Sequence, residues 1–77
     1  MDDLTFTPYA RRRMRRRQIP EVAAHAVVED HDRRIERDDG RVECIGWWEG
    51  RLLLVVTEVE DEPLTVVNVI DKTRSGE

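Results

Sequence analysis

The chain predicts an α+β domain in which two N-terminal helices pack on a four-stranded antiparallel meander sheet. Three observations carry that expectation. The run Leu52-Leu53-Leu54-Val55-Val56-Thr57-Glu58-Val59 is apolar from Leu52 to Val56 and rich in β-branched residues, so it reads as a strand covered on both faces, in the middle of a sheet. Two proline-opened stretches with helical spacing precede it. Short turn signals at Asp38-Asp39-Gly40-Arg41, Glu49-Gly50 and Glu60-Asp61-Glu62-Pro63 divide the second half of the chain into hairpin-sized pieces.

Met1 to Thr5 reads as a loose start. Thr7 then supplies a helix cap and Pro8 the first helical position, where its missing amide costs nothing. Helix one runs from about Pro8 to Arg17. At 100 degrees per residue, Tyr9, Ala10, Arg13, Met14 and Arg17 share its packing face, while Arg11, Arg12 and Arg15 point away. Ile19-Pro20 breaks the helix and opens a second, Pro20 to about Glu29 or Asp30, which packs through Val22, Ala23, Ala26 and Val27. Its solvent side is Glu21, His25 and Glu29.

After His31 the period changes to two. Strand one is Arg33 to Arg37, with Ile35 its only strong apolar residue. Asp38-Asp39-Gly40-Arg41 suits a type I′ turn because Asp-Gly tolerates positive backbone angles. Strand two, Val42 to Trp48, sets Val42, Cys44 and Gly46 against Glu43, Ile45 and Trp47, so one of the adjacent tryptophans enters the core and the other lies on the open face. Strand three is the central run. Strand four is Leu64 to Ile70, and the polar tail from Asp71 frays. The whole chain, residues 1–77, is one domain, loose at about 1–5 and 72–77.

A domain of 77 residues buries only about 60% of the surface its extended chain exposes, which limits the core to one or two layers. The net charge of −4 conceals a strong polarity. Six of the thirteen basic residues fall in positions 11 to 17, leaving seven basic against seventeen acidic residues elsewhere, a balance of −10. That distribution excludes wrapping of nucleic acid over a large surface and allows one directed contact. The lone Cys44 excludes an intrachain disulfide and a cysteine-built zinc site, reads as a small buried hydrophobe, and makes the reducing cytoplasm the expected setting. No stretch has the length of a membrane span and the N-terminus has no signal-peptide pattern, so no membrane partner is expected.

The string Thr7-Pro8-Tyr9-Ala10-Arg11-Arg12-Arg13-Met14-Arg15-Arg16-Arg17-Gln18-Ile19 resembles the opening of a family of small bacterial domains with a Thr-x-His-Ala-x-x-Arg-Met-x-x-Arg-x-Ile motif, followed by a second helix and a strand meander. That family is similar in layout to the RelE and ParE toxins, a group that includes small ribonucleases. The resemblance carries the family's Thr, Arg, Met and second Arg onto Thr7, Arg13, Met14 and Arg17. Tyr9 stands where the family has histidine, and tyrosine, with an ordinary pKa near 10, is a poor base at neutral pH.

Metal-independent RNA cleavage needs a base, a cation beside the phosphate and an acid. Arg13 and Arg17, one turn apart, are candidates to grip a phosphate, or else to tie helix one to sheet carboxylates. His31, in the helix-to-strand connection, is the candidate proton carrier; His25 reads as solvated helix surface. Arg11, Arg12, Arg15 and Arg16, with Tyr9 as a stacking platform, are candidates for RNA contact, the alternative being a solvated charged face. No metal-binding motif is present and no cofactor is expected.

Two functions stand at this level. One is a toxin-like, metal-independent endoribonuclease, which implies RNA as substrate and a cognate inhibitor protein. The other is a non-catalytic RNA-binding or protein-interaction module. Strand four, long and apolar, is also an edge that invites a homodimer.

Overall fold

The computed structural model describes residues 4–58 and 64–74. Its elements are β1 (Leu4–Phe6), α1 (Pro8–Arg17), α2 (Glu21–Glu29), β2 (Arg33–Glu36), β3 (Arg41–Trp48), β4 (Arg51–Glu58), β5 (Leu64–Asp71) and a single 3₁₀ turn over Lys72–Arg74. The architecture is α+β, with a five-stranded sheet ordered β1-β5-β4-β3-β2. From β2 to β5 it is the expected antiparallel meander, and the apolar strand β4 occupies the centre. β1 pairs parallel to β5, Leu4 opposite Leu64 and Phe6 opposite Val66.

That parallel pair corrects three expectations. The sheet is mixed and has five strands; residues 4 and 5 are strand; and strand four is flanked along Leu64–Val66 by β1. The chain can place a strand before the helices because α1 and α2 carry it from the β1 edge to β2 at the opposite edge, and the meander β2 to β5 then returns to lie parallel beside β1. At the other end, Asp71 closes β5 and the next residues form the 3₁₀ turn, with Thr73 Oγ1 accepting from the Leu52 amide at 2.7 Å. Residues 1–3, 75–77 and the acidic stretch 59–63 lie outside the described residues.

α1 begins as its sequence dictates. Thr7 Oγ1 accepts from the Ala10 amide at 3.0 Å and Pro8 follows at the first position. The helix stops without a glycine: Gln18 takes a left-handed conformation, φ 57°, its amide donating to Arg15 and that of Ile19 to Met14. This is the Schellman arrangement, closed by apolar contact between the last turn and the residue beyond it. Met14 and Ile19 are both buried.

Only Ala10 and Met14 of α1 are fully buried, and in α2 Ala23, Ala24 and Val27. They meet Leu53, Val55, Val66, Val69, Val42 and Cys44 in one core. The arc read for each helix was too wide and, for α2, slightly rotated. Val22 is 60% exposed, Ala24 takes its place in the core, and His25 is half-buried with its ring edge-on to Phe6 at 6.3 Å between centroids. Small residues let α2 approach β3 closely. A Cβ on Gly46 would stand 3.3 Å from His31 Cα and 3.4 Å from the Asp30 carbonyl oxygen.

The type I′ turn expected at Asp38-Asp39-Gly40-Arg41 lies instead at Glu49-Gly50. At Glu49-Gly50 both residues have positive φ, 46° and 80°, between the paired Trp48 and Arg51, which is the type I′ turn. Between β2 and β3 only Gly40 is left-handed, φ 85°; its amide donates to Arg37, and the Arg37 amide donates to Arg41. That is a three-residue loop with a glycine bulge. Trp48 packs on the core and Trp47 is 60% exposed on the opposite face, as strand alternation requires. Cys44 is buried; burial raises its thiol pKa, and the guanidinium of its cross-strand neighbour Arg34 only partly opposes that rise.

Candidate nucleic-acid interface

α1 lies against β5 with a basic flank turned outward. Tyr9, Arg12, Arg13 and Arg16 fall within about 100 degrees of arc, on the side away from Ala10 and Met14. Tyr9 is 48% exposed, and Arg12, Arg15, Arg16 and Arg17 are exposed. Among the described residues none of these four arginines has a carboxylate within ion-pair distance. Arg11 differs from them: its guanidinium pairs with Glu21 and lies over the Phe6 ring, 5.4 Å from the centroid. It ties α1 to the start of α2 and to β1.

Arg13 and Arg17 occupy different surroundings despite their spacing. Arg13 is half-buried with its guanidinium over the Tyr9 ring at 5.7 Å, and its Nε has no hydrogen-bond partner among the described residues. Arg17 is exposed at the end of the helix, where the expected packing face has run out. Among the described residues neither is held by a sheet carboxylate, and the tie that fastens α1 to the sheet comes from elsewhere.

That tie is Arg51, a residue whose sequence context marks it only as the start of a strand. Its Nη1 donates to the Gln18 carbonyl at 3.0 Å and its Nη2 to the Arg17 carbonyl at 2.8 Å. Nε and Nη2 also donate to Asp71 Oδ2 at 3.0 and 2.8 Å. The Arg51 side chain is 27% exposed and that of Asp71 9%. Burial by itself raises the Asp71 carboxyl, but hydrogen bonds from Arg51 and Thr73, with the Arg51 charge, outweigh it and hold the group below its ordinary value.

Arg51 thus caps carbonyls at the end of α1, where the helix dipole is negative and would otherwise repel an anion. Around it opens a groove of about 530 Å³ lined by Arg16, Arg17, Gln18, Arg51, Asp71 and Thr73. Three guanidiniums face one carboxylate there. The flank of α1 therefore runs from an aromatic ring at Tyr9 to a net positive groove at its C-terminal end, over the roughly 15 Å of a ten-residue helix.

His31 is not part of that surface. Its Nδ1 donates to the Val28 carbonyl at 3.1 Å, and its backbone rests over Gly46 on β3. α1 packs on β5 and α2 on β3 and β4, which sets Arg13 and His31 on opposite sides of the central strand. Among the described residues no group of three or more histidine, cysteine, aspartate or glutamate side chains is arranged to hold a metal ion, and no described helix is long and apolar enough to cross a membrane.

Comparison with protein-family models, curated proteins and solved structures finds no match to this chain.

Proposed function

We propose that the chain is a non-catalytic RNA-binding module that holds a single strand along the outer flank of α1. The observation that carries this reading is the set of four exposed arginines without carboxylate partners, Arg12, Arg15, Arg16 and Arg17, continuous with the Arg51-capped groove at one end and Tyr9 at the other. Guanidiniums make forked contacts to phosphate, and an exposed aromatic beside them stacks a base irrespective of its identity. The acidic remainder of the surface confines a polyanion to this strip. Binding without cleavage is favoured over the ribonuclease reading because Arg13 is engaged with Tyr9 while His31, the candidate proton carrier, is fixed over β3 and away from the phosphate grip.

The test is fluorescence anisotropy with a labelled single-stranded RNA, comparing the protein with an Arg12→Ala, Arg16→Ala, Arg17→Ala variant whose circular dichroism is unchanged. Binding that is lost in the variant, with the RNA recovered intact in the absence of divalent metal, supports the reading. Cutting by the intact protein reinstates the toxin-like ribonuclease with its implied inhibitor; no binding at all refutes an RNA partner.

A further inference from the structure

β5 carries a bulge. Val56 on β4 pairs with Asn68 and Thr57 pairs with Val66, so Val67 is an extra residue with no partner of its own. Val66 and Val69 both enter the core beneath the helices. In a regular strand a residue two after Val66 would follow it inward; the bulge instead turns Asn68 to the open face beside Val67.

Both residues line a cleft of about 290 Å³ whose other walls include Tyr9, Arg41, Val56 and Ile70. Asn68 Oδ1 is buried at that wall and has no hydrogen-bond partner among the described residues. Leaving a buried carbonyl oxygen unpaired costs free energy that a hydrophobe at this position would avoid, and such a group, turned outward by a bulge, marks a place where a donor is supplied from outside.

The charges around the cleft are already balanced. Arg37 pairs with Glu43, and Arg41 with Glu58 at 3.6 Å. A phosphate therefore gains little here. An uncharged planar ligand with an N–H beside an acceptor gains three things: the orphan Oδ1, the apolar floor of Val56 and Ile70, and the face of Tyr9. The volume lies at the small end for ligand sites, suited to one ring system.

We infer that this cleft receives one unpaired nucleobase of the strand bound along α1, with Asn68 Oδ1 accepting from a base N–H and Tyr9 stacking on the ring. The inference rests on the RNA-binding reading. Tyr9 belongs to both surfaces, so it joins the phosphate track to the base site. Tyr9 and Arg41, both exposed, are the side chains that must shift to admit the base. The Watson–Crick edges of all four bases place a donor next to an acceptor, so the asparagine amide accepts any of them, and the site selects single strands over duplexes rather than one sequence.

The experiment compares a single-stranded RNA with an abasic ribose-phosphate oligomer of equal length and charge. The intact protein binds the RNA more tightly by about 10-fold, the scale of one stacked and hydrogen-bonded base. Asn68→Val shrinks that preference while raising the melting temperature of the free protein, because the orphan acceptor has gone. Tyr9→Ala, at an exposed site, shrinks the preference without disturbing the fold. Equal binding of both oligomers by the intact protein, or a preference unchanged in both variants, overturns the base site and leaves the α1 phosphate reading standing. Binding of neither oligomer overturns both.

Discussion

Arg51 and Asp71 share a two-pronged ion pair at 2.8 and 3.0 Å, and the same guanidinium holds the last carbonyls of α1. One side chain thereby joins β4, the end of β5 and the C-terminus of α1. Arg51→Ala strands a largely buried carboxylate and uncaps two carbonyls. The expected loss is about 2–3 kcal/mol, reduced from the fully buried case because Arg51 is partly solvated. For a domain of this size that lowers the melting temperature by roughly 10–20 °C. Calorimetry on Arg51→Ala checks it; a loss no larger than that of Arg34→Ala, an exposed pair, would remove the staple from the account.

The same contact sets an acid limit. The Asp71 carboxyl is held below its ordinary value, so the unfolded chain takes up this proton more readily than the folded one. Its stabilisation is complete above the unfolded pKa of about 3.9 and is lost as pH falls through the lower folded value. Urea unfolding as a function of pH should show the gap between the intact protein and Asp71→Asn narrowing below about pH 4. A gap that stays constant with pH would mean that the ion pair contributes nothing through its charge.

Glu49 sits at φ 46° in the I′ turn, a conformation that favours asparagine or glycine. Glu49→Asn should stabilise the domain by about 0.5–1 kcal/mol, as relief of a left-handed non-glycine residue does. Denaturant midpoints at constant slope read the gain directly. A loss would show that the Glu49 side chain makes a contact worth more than the strain.

These turns also show how far the sequence is legible. Strand β4 is evident because it is apolar on both faces, and the α1 cap because Thr7-Pro8 is a local signal. The choice between turn types is not local: it depends on which residues pair across each hairpin, Arg37 with Arg41 in one and Trp48 with Arg51 in the other, and the first of these pairings overrode the Asp-Gly preference at Asp39-Gly40. β1 is three residues whose partner lies some sixty positions on, beyond any periodicity. A helical wheel finds Arg11, Arg12 and Arg15 exposed but sets Tyr9 and Arg17, which are exposed as well, on the packing face. It reaches neither Arg51 nor Asn68: one acts through partners 20 and 34 residues distant, and the other faces the open side only because Val67 is a bulge.

Gly46 lies directly beneath the chain as it leaves α2. A methyl group there meets backbone atoms of His31 and Asp30, at 3.3 and 3.4 Å, rather than the end of a flexible side chain. Gly46→Ala is therefore expected to destabilise by about 1–2 kcal/mol, the overpacking cost exceeding the entropy gained by removing a glycine. Chemical denaturation measures it, and a neutral or stabilising result would mean that the end of α2 moves freely away from β3.

The salt dependence of RNA binding separates a phosphate track from any other use of the α1 surface. Each phosphate neutralised on a single strand contributes about −0.7 to the slope of log K against log salt, so the four unpartnered arginines predict a slope near −3. Removing Arg12, Arg16 and Arg17 should bring it to about −1, by the same rule, with the fold unchanged. Asn68→Val should leave the slope where it was, since a base contact releases no counterions. A shallow slope in the intact protein would show that the arginines stay solvated when RNA binds. A slope that also falls in Asn68→Val would place a phosphate, not a base, in the cleft beside Tyr9.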